Sequence, residues 1–243
     1  MDYLMIAAKK IRKRLRDDGD AFIVIDGPER AGKSSFMLRF AKMIDSKFTL
    51  DQIVYRKGKL IDCIYFYPKY SVVVHDELGL DAYKRRGMSR GNVELKQASM
   101  VWGDQNKAVL ACIPNFWDLD GSLQQRTYLW IHIDLKERDD GSLSRGRAEF
   151  HYAKKSKWYS DPNWDEVCSQ KFDAVPSPIY KEYKERKHKA VKEALKEDEK
   201  DNDPREKSIE LVRRMKDLGY TQKESAEVLG CSQQNISAML SAD

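Results

Sequence analysis

Several absences narrow the field before any motif is considered. No apolar run approaches the ~18 consecutive residues that a membrane-crossing helix needs, and no secretory leader is evident. The four cysteines, Cys63, Cys112, Cys168 and Cys231, are scattered without a C-x-x-C pair. That spacing argues against a disulfide framework or a zinc ribbon and fits free thiols in a reducing cytoplasm. His75, His132, His151 and His188 are too dispersed to read as a metal site. No internal repeat or low-complexity tract is present. What remains is a chain of 243 residues, 34% charged, with a net charge of +5 and a mean hydropathy of −0.69. That length holds one domain of ordinary size and a small appendage.

The strongest local pattern is Gly27-Pro28-Glu29-Arg30-Ala31-Gly32-Lys33-Ser34, followed by Ser35. It spells G-x-x-x-x-G-K-S, the phosphate-binding loop, and its setting is the one such a loop needs. The apolar run Phe22-Ile23-Val24-Ile25 predicts a buried strand before it. Phe36, Met37, Phe40, Ala41 and Ile44 predict an amphipathic helix after it. Glycines let the backbone wrap a phosphate chain, and the helix N-terminus directs free N–H groups at the anion. Residues 27–35 are therefore the expected cradle for ATP. Lys33 is placed to reach the β- and γ-phosphates, and Ser34 to ligate Mg²⁺.

A second acidic motif follows in Ser71-Val72-Val73-Val74-His75-Asp76-Glu77. Three consecutive valines predict a strand buried on both faces. Its two carboxylates would stand at the carboxyl edge, where open α/β sheets bind ligands. Asp76 is the expected holder of the Mg²⁺ shell and Glu77 the expected polariser of the attacking water. Together with the later run Ala108-Val109-Leu110-Ala111-Cys112-Ile113-Pro114-Asn115, these motifs resemble the additional-strand, catalytic-glutamate group of P-loop ATPases. The layout is similar to the RecA-like cores of FtsK/HerA DNA pumps and Zot-like proteins, and the resemblance covers about residues 20 to 135. It implies a three-layer α/β sandwich around a mostly parallel sheet of order 5-1-4-3-2. It also implies that Asn115 is the polar sensor residue at the end of the inserted strand. In such proteins an arginine from a neighbouring subunit completes the site. Arg85, Arg86, Arg90 and Arg126 are candidates here, with Arg126 favoured, and a homo-oligomer such as a hexameric ring is then expected.

Coarser features set the organisation. Residues 2–17 carry Leu4, Ala8, Ile11 and Leu15 on one stripe of a basic helix. The second strand is expected at 52–56 or 60–67, a basic loop at 79–91, a helix at 93–101, and the fifth strand at 128–133. A hairpin turn at 139–142 leads into a strand at 147–152. Trp158, Tyr159 and Trp164 either stack on bases or cover the core. Basic clusters at 9–16, at 84–90 and at 181–192 point to a polyanionic partner. The expected domains are 1–175, the ATPase; 176–204, a charged helix with an acidic linker at 197–204; and 205–243.

The last segment has its own signature. Ile209, Leu211, Val212 and Met215 predict a first helix closed by Gly219. Thr221 and Glu224 form a capping box, Gly230 allows a sharp turn, and Ser232 caps a last helix that packs through Ile236 and Leu240. The segment looks like a helix-turn-helix of the Cro/sigma type. That resemblance implies that Gln233, Gln234, Asn235 and Ser237 meet base edges, with Ser232 beside them at the DNA and Lys223 on phosphate. The last helix has no Arg or Lys, so contact with another protein remains the alternative. The expected function is an ATP-hydrolysing DNA-handling motor of a virus, plasmid or mobile element, acting in packaging, transfer or replication loading. Its rival is a regulator whose DNA occupancy is switched by ATP without translocation.

Overall fold

A computed structural model describes residues 2–55, 59–76, 90–137, 140–154, 163–202, 204–217 and 219–240. The chain divides into two compact units, Met1–Lys187 and His188–Asp243.

The larger unit is built on one sheet. Its strands are β1 (Ala21–Asp26), β2 (Ile53–Val54), β3 (Val72–Asp76), β4 (Ala108–Cys112), β5 (Leu129–Glu137), β6 (Leu143–Lys154) and β7 (Asn163–Lys171). They lie in the order β2-β3-β4-β1-β5-β6-β7. The pairs from β2 to β5 are parallel, and β6 and β7 add on antiparallel. Read from the other edge, the first five strands have the expected order 5-1-4-3-2, and the hairpin extends it. Every residue of β1, β3 and β4 is buried, as near-continuous β-branched and small apolar runs in a parallel centre require.

Helices cover both faces. On one, α1 (Tyr3–Arg16) and α2 (Lys33–Ile44) pack against Ile23, Ile25, Val74 and Ile131. Leu4, Ile11 and Leu15 are fully buried there, at about 1.5–3 kcal/mol each. Those anchors hold α1 with its basic residues outward. On the other face, α3 (Leu60–Phe66), α4 (Arg90–Ser99) and α5 (Gly121–Arg126) enclose Phe22, Val24, Val109 and Trp102.

Three expectations change. Of the two stretches offered for the second strand, 52–56 holds β2, whereas Leu60–Phe66 form helix α3, because Leu60 and Ile64, four apart, are the two that bury. β7 was not foreseen, since its alternation is weak and none of its residues is fully buried. The acidic linker is largely helical: α6 (Ser177–Asn202) runs through residues 197–202, and α7 (Pro204–Asp217) has proline at its first position. The boundary between the two compact units falls within α6, after Lys187.

In the smaller unit, α7, α8 (Gln222–Leu229) and α9 (Gln233–Leu240) close around Val212, Ala226 and Ile236. The capping box is formed: Glu224 N–H donates to the Thr221 hydroxyl, and the Glu224 carboxylate accepts from Thr221 N–H at 2.8 Å. Gly230 ends α8 in the left-handed conformation. Leu211, expected in this core, is 46% exposed. Among the described residues, no helix is long and apolar enough to cross a membrane.

Candidate nucleotide and metal site

β1 ends at the buried Asp26, and the loop 27–32 turns from it into α2 at the carboxyl edge of the sheet. Gly27 has φ +135°, and a Cβ there would stand 2.3 Å from the Ile133 carbonyl oxygen. Gly32 caps α2 with φ +107°. The loop is therefore bent where only glycine is comfortable, and pressed against β5 where only hydrogen fits. Lys33 folds back over it, donating to the carbonyls of Gly27 and Pro28. Burial lowers its pKa, and the thiol of Cys112 and the carboxylates of Asp26 and Glu29 oppose the shift. Among the described residues its ammonium is held by neutral carbonyls, which it can exchange for phosphate oxygens.

Asp76 ends β3, two strands from β1 in the sheet, and is 2% exposed. It meets Ser34 through a residue from far along the chain. The Tyr183 hydroxyl donates to the Asp76 carboxylate and lies 2.9 Å from Ser34 Oγ. Lys187 Nζ lies 3.2 Å from the same carboxylate oxygen. Ser34 and Asp76 thus flank one point, already occupied by a hydroxyl with a cation beside it. Two oxygen donors converging on one polar point, with an ammonium beside the carboxylate, fit Mg²⁺, a hard ion bound by few carboxylates and completed by phosphate and water.

The segment after β7 lies across this edge. Val175 N–H donates to Ser35 Oγ at 2.9 Å, Phe172 stands against Gly32, and Arg39 pairs with Asp173 at 3.3 Å. Tyr183 is 1% exposed, with Tyr55 and Tyr180 beside its ring. Burial, with the Asp76 charge adding to it, raises the Tyr183 pKa, so the phenol keeps its proton. Neither Tyr183 nor Lys187 was among the expected site residues. Lys187 belongs to the basic cluster at 181–192, yet it faces Asp76, and Arg186 pairs with Asp51 and Glu182. The available signal was Tyr180, Tyr183 and Lys187 at i, i+3 and i+7 of an otherwise charged helix.

A second polar cluster adjoins the loop. Asp26 accepts from Phe116 N–H at 2.9 Å and Trp130 Nε1 at 2.8 Å, and lies 2.9 Å from His132 Nδ1. The hydrogen bond to Asp26 raises the His132 pKa against the effect of burial. His132 is thus a polar neighbour of the phosphate loop.

The other expected residues are placed as follows. Asn115 follows β4 at the same edge, where its side chain accepts from Trp117 N–H and donates to Asp118, each at 3.3 Å. Glu77, Arg85 and Arg86 lie outside the described residues, as does the side chain of Arg90. So do Trp158 and Tyr159, whereas Trp164 packs edge-on to Phe116 and Trp130 and covers the core. Arg126 is not brought to its own chain's site. It pairs with Asp20 at 2.9 Å and lies over Trp102, at the amino edge, with the six residues of β1, about 20 Å of strand, between it and the loop. Lys223, Ser232, Gln233, Gln234, Asn235 and Ser237 are all exposed in the smaller unit, the last four on α9.

The layout is a mostly parallel α/β fold with the glycine-bent G-x-x-x-x-G-K-S loop between β1 and α2. No family model matches the sequence, and no curated protein sequence matches it. Among solved structures, the DNA-packaging ATPase B204 of Sulfolobus Turreted Icosahedral Virus is similar at 14% identity. The match covers 56% of this chain and 93% of that one, with a TM-score of 0.39. The N-terminal domain of zonular occludens toxin from Neisseria meningitidis shares 13% identity over 67% of this chain and 98% of that one, with a TM-score of 0.35. The flagellar accessory protein FlaH from Methanocaldococcus jannaschii shares 14% over 69% and 96%, with a TM-score of 0.34. At these values the functional reading rests on this chain's own residues.

Proposed function

We propose that the chain is an ATP-hydrolysing, DNA-handling motor of a virus, plasmid or other mobile element, recruited to DNA by its C-terminal helices. One observation carries the nucleotide part: Ser34, in the first turn of α2, and Asp76, at the end of β3, converge on one point beside the Gly27–Gly32 loop. Loop N–H groups and Lys33 bind and orient the phosphates. Ser34 and Asp76 would hold Mg²⁺, whose charge would offset that of the bound phosphates. Glu77, next to Asp76, takes the proton of the attacking water.

The DNA part has two supports. The outer face of α1 presents Lys9, Lys10, Lys13 and Arg16 to solvent, a cationic strip suited to a phosphate backbone. α9 exposes Gln233, Gln234 and Asn235 in its first turn, and such amides pair with adenine in the major groove. Gln233→Ala or Gln234→Ala should cost about 1–3 kcal/mol at one or two base positions. ATP turnover measured across duplex lengths decides between motor and switch. A translocating motor turns over faster as the duplex lengthens; length-independent turnover refutes translocation and leaves the ATP-switched regulator.

A further inference from the structure

We propose that the start of α6 is a built-in plug of the metal site: the Tyr183 hydroxyl and the Lys187 ammonium hold Ser34 and Asp76 closed, and the nucleotide's Mg²⁺ enters only when this stretch of helix withdraws. The inference rests on the reading of Ser34 and Asp76 as metal ligands.

Occupancy is the first argument. Mg²⁺ demands oxygen ligands at about 2.1 Å in near-octahedral order. The point that Ser34 and Asp76 share is filled by the Tyr183 oxygen, within hydrogen-bond reach of both. A phenol and a hydrated cation cannot stand there together. Charge is the second. Lys187 already neutralises Asp76 from 3.2 Å, and a divalent ion arriving beside it is repelled until the ammonium leaves.

The third argument concerns what holds the plug down. The flanking ties are surface ion pairs: Arg186–Asp51, with side chains 40% and 66% exposed, and Arg39–Asp173, at 35% and 89%. Such pairs contribute little. The firm hold comes from Tyr183 itself, through its ring contacts and its two oxygen partners in the site. The same two oxygens thus serve the plug and the metal, so the two compete directly. Lys33, folded onto the Gly27 and Pro28 carbonyls, matches this closed state, with its ammonium turned to the loop.

The full chain tests this without an activity assay. Tyr183→Phe keeps the ring and removes the hydroxyl, and Lys187→Met removes the charge from a half-buried position. Mn²⁺ binding in saturating ADP, followed by electron paramagnetic resonance, should tighten about tenfold in the double variant, the gain expected if the open form is about a tenth of the wild-type population. Affinity for metal-free ADP should change less than twofold. In the wild type, amide hydrogen exchange over residues 179–187 should accelerate when Mg²⁺ and ATPγS are added. Weaker Mn²⁺ binding in the variants would overturn the proposal and make both residues constructive parts of the site. Unchanged Mn²⁺ binding, or equal protection of 179–187 with and without Mg²⁺ and nucleotide, would overturn it too. Failure of wild type and variants alike to bind ADP would instead remove the nucleotide reading, and the plug with it. Lys187→Met alone gives the same direction of change if the phenylalanine variant does not fold.

Discussion

Gly27→Ala and Gly32→Ala separate two roles that the motif treats as equal. Both glycines have positive φ, +135° and +107°, so alanine at either is strained by about 1–3 kcal/mol. Their surroundings differ. At Gly32 the nearest atom to a new Cβ is the Phe172 ring at 3.6 Å, an ordinary contact. At Gly27 it is the Ile133 carbonyl oxygen at 2.3 Å, with the Ile133 carbonyl carbon and nitrogen at 3.1 and 3.2 Å. All three are backbone atoms of a buried central strand, which cannot turn aside as a side chain can. Forcing β1 and β5 apart adds about 1–3 kcal/mol of overpacking, so Gly27→Ala should cost about 4 kcal/mol and Gly32→Ala about 2. At about 2–4 °C per kcal/mol for a chain of this size, the melting temperature falls by about 8–16 °C in the first and 4–8 °C in the second. Calorimetry of the two variants, with ATPγS titration of each, reads both effects. Equal melting temperatures, or a larger loss in Gly32→Ala, would refute the claim that the loop is pressed against β5.

Three other outcomes follow from single groups. His132 and His151 sit on neighbouring strands and are pushed opposite ways, His132 up by its bond to Asp26 and His151 down by burial; proton NMR should find them on either side of 6.5, with Asp26→Asn lowering His132. Because the folded-state value of His132 is raised, its contribution to stability is complete below pH 6.5 and is lost as pH rises through that folded value. Lys107, fully buried with its ammonium on the carbonyls of Tyr67 and Pro68 and on Ser71 Oγ, is lowered by burial to about 8 from 10.5. The unfolded chain then holds the extra proton between those values, so its term raises stability from pH 8 to 10 by at most about 3 kcal/mol; urea midpoints should show the rise, and Lys107→Met should flatten it. Glu77→Gln should retain ATPγS binding and slow hydrolysis at least ~100-fold, and wild-type turnover in that variant would remove Glu77 as the base.

What could be read from the sequence divides by the distance over which it is encoded. The phosphate loop is specified by contiguous residues, and strand, turn and helix each leave a local mark, so residues 22–44 form what the pattern implies. The valines before Asp76 do the same for β3. Helix α3 misled because isoleucine, tyrosine and phenylalanine favour strands, while only Leu60 and Ile64 bury, at helical spacing. The plug was out of reach for another reason. Tyr183 meets Ser34 across 149 positions and Asp76 across 107, and no short motif records a contact that depends on where β7 delivers the chain. His132 and Asp26, 106 apart, share that difficulty.

Charge shows the same division. By count, three clusters of lysine and arginine offer themselves to a polyanion, but folding assigns several of those cations elsewhere. Lys187 faces Asp76, Arg186 is held by Asp51 and Glu182, and Arg14 lies over Tyr128 and against Asp20. Lys9, Lys13 and Arg16 on α1 stay exposed because the helix has a buried stripe to anchor it, which leaves its other face free for solvent or phosphate. A cation bonded to a carboxylate adds little to the attraction of a nucleic acid, whereas one presented on a packed helix adds a full charge. If the larger unit grips DNA through its described surface, neutralising Lys9, Lys13 and Arg16 should therefore reduce the salt dependence of binding more than neutralising Arg14 and Arg186.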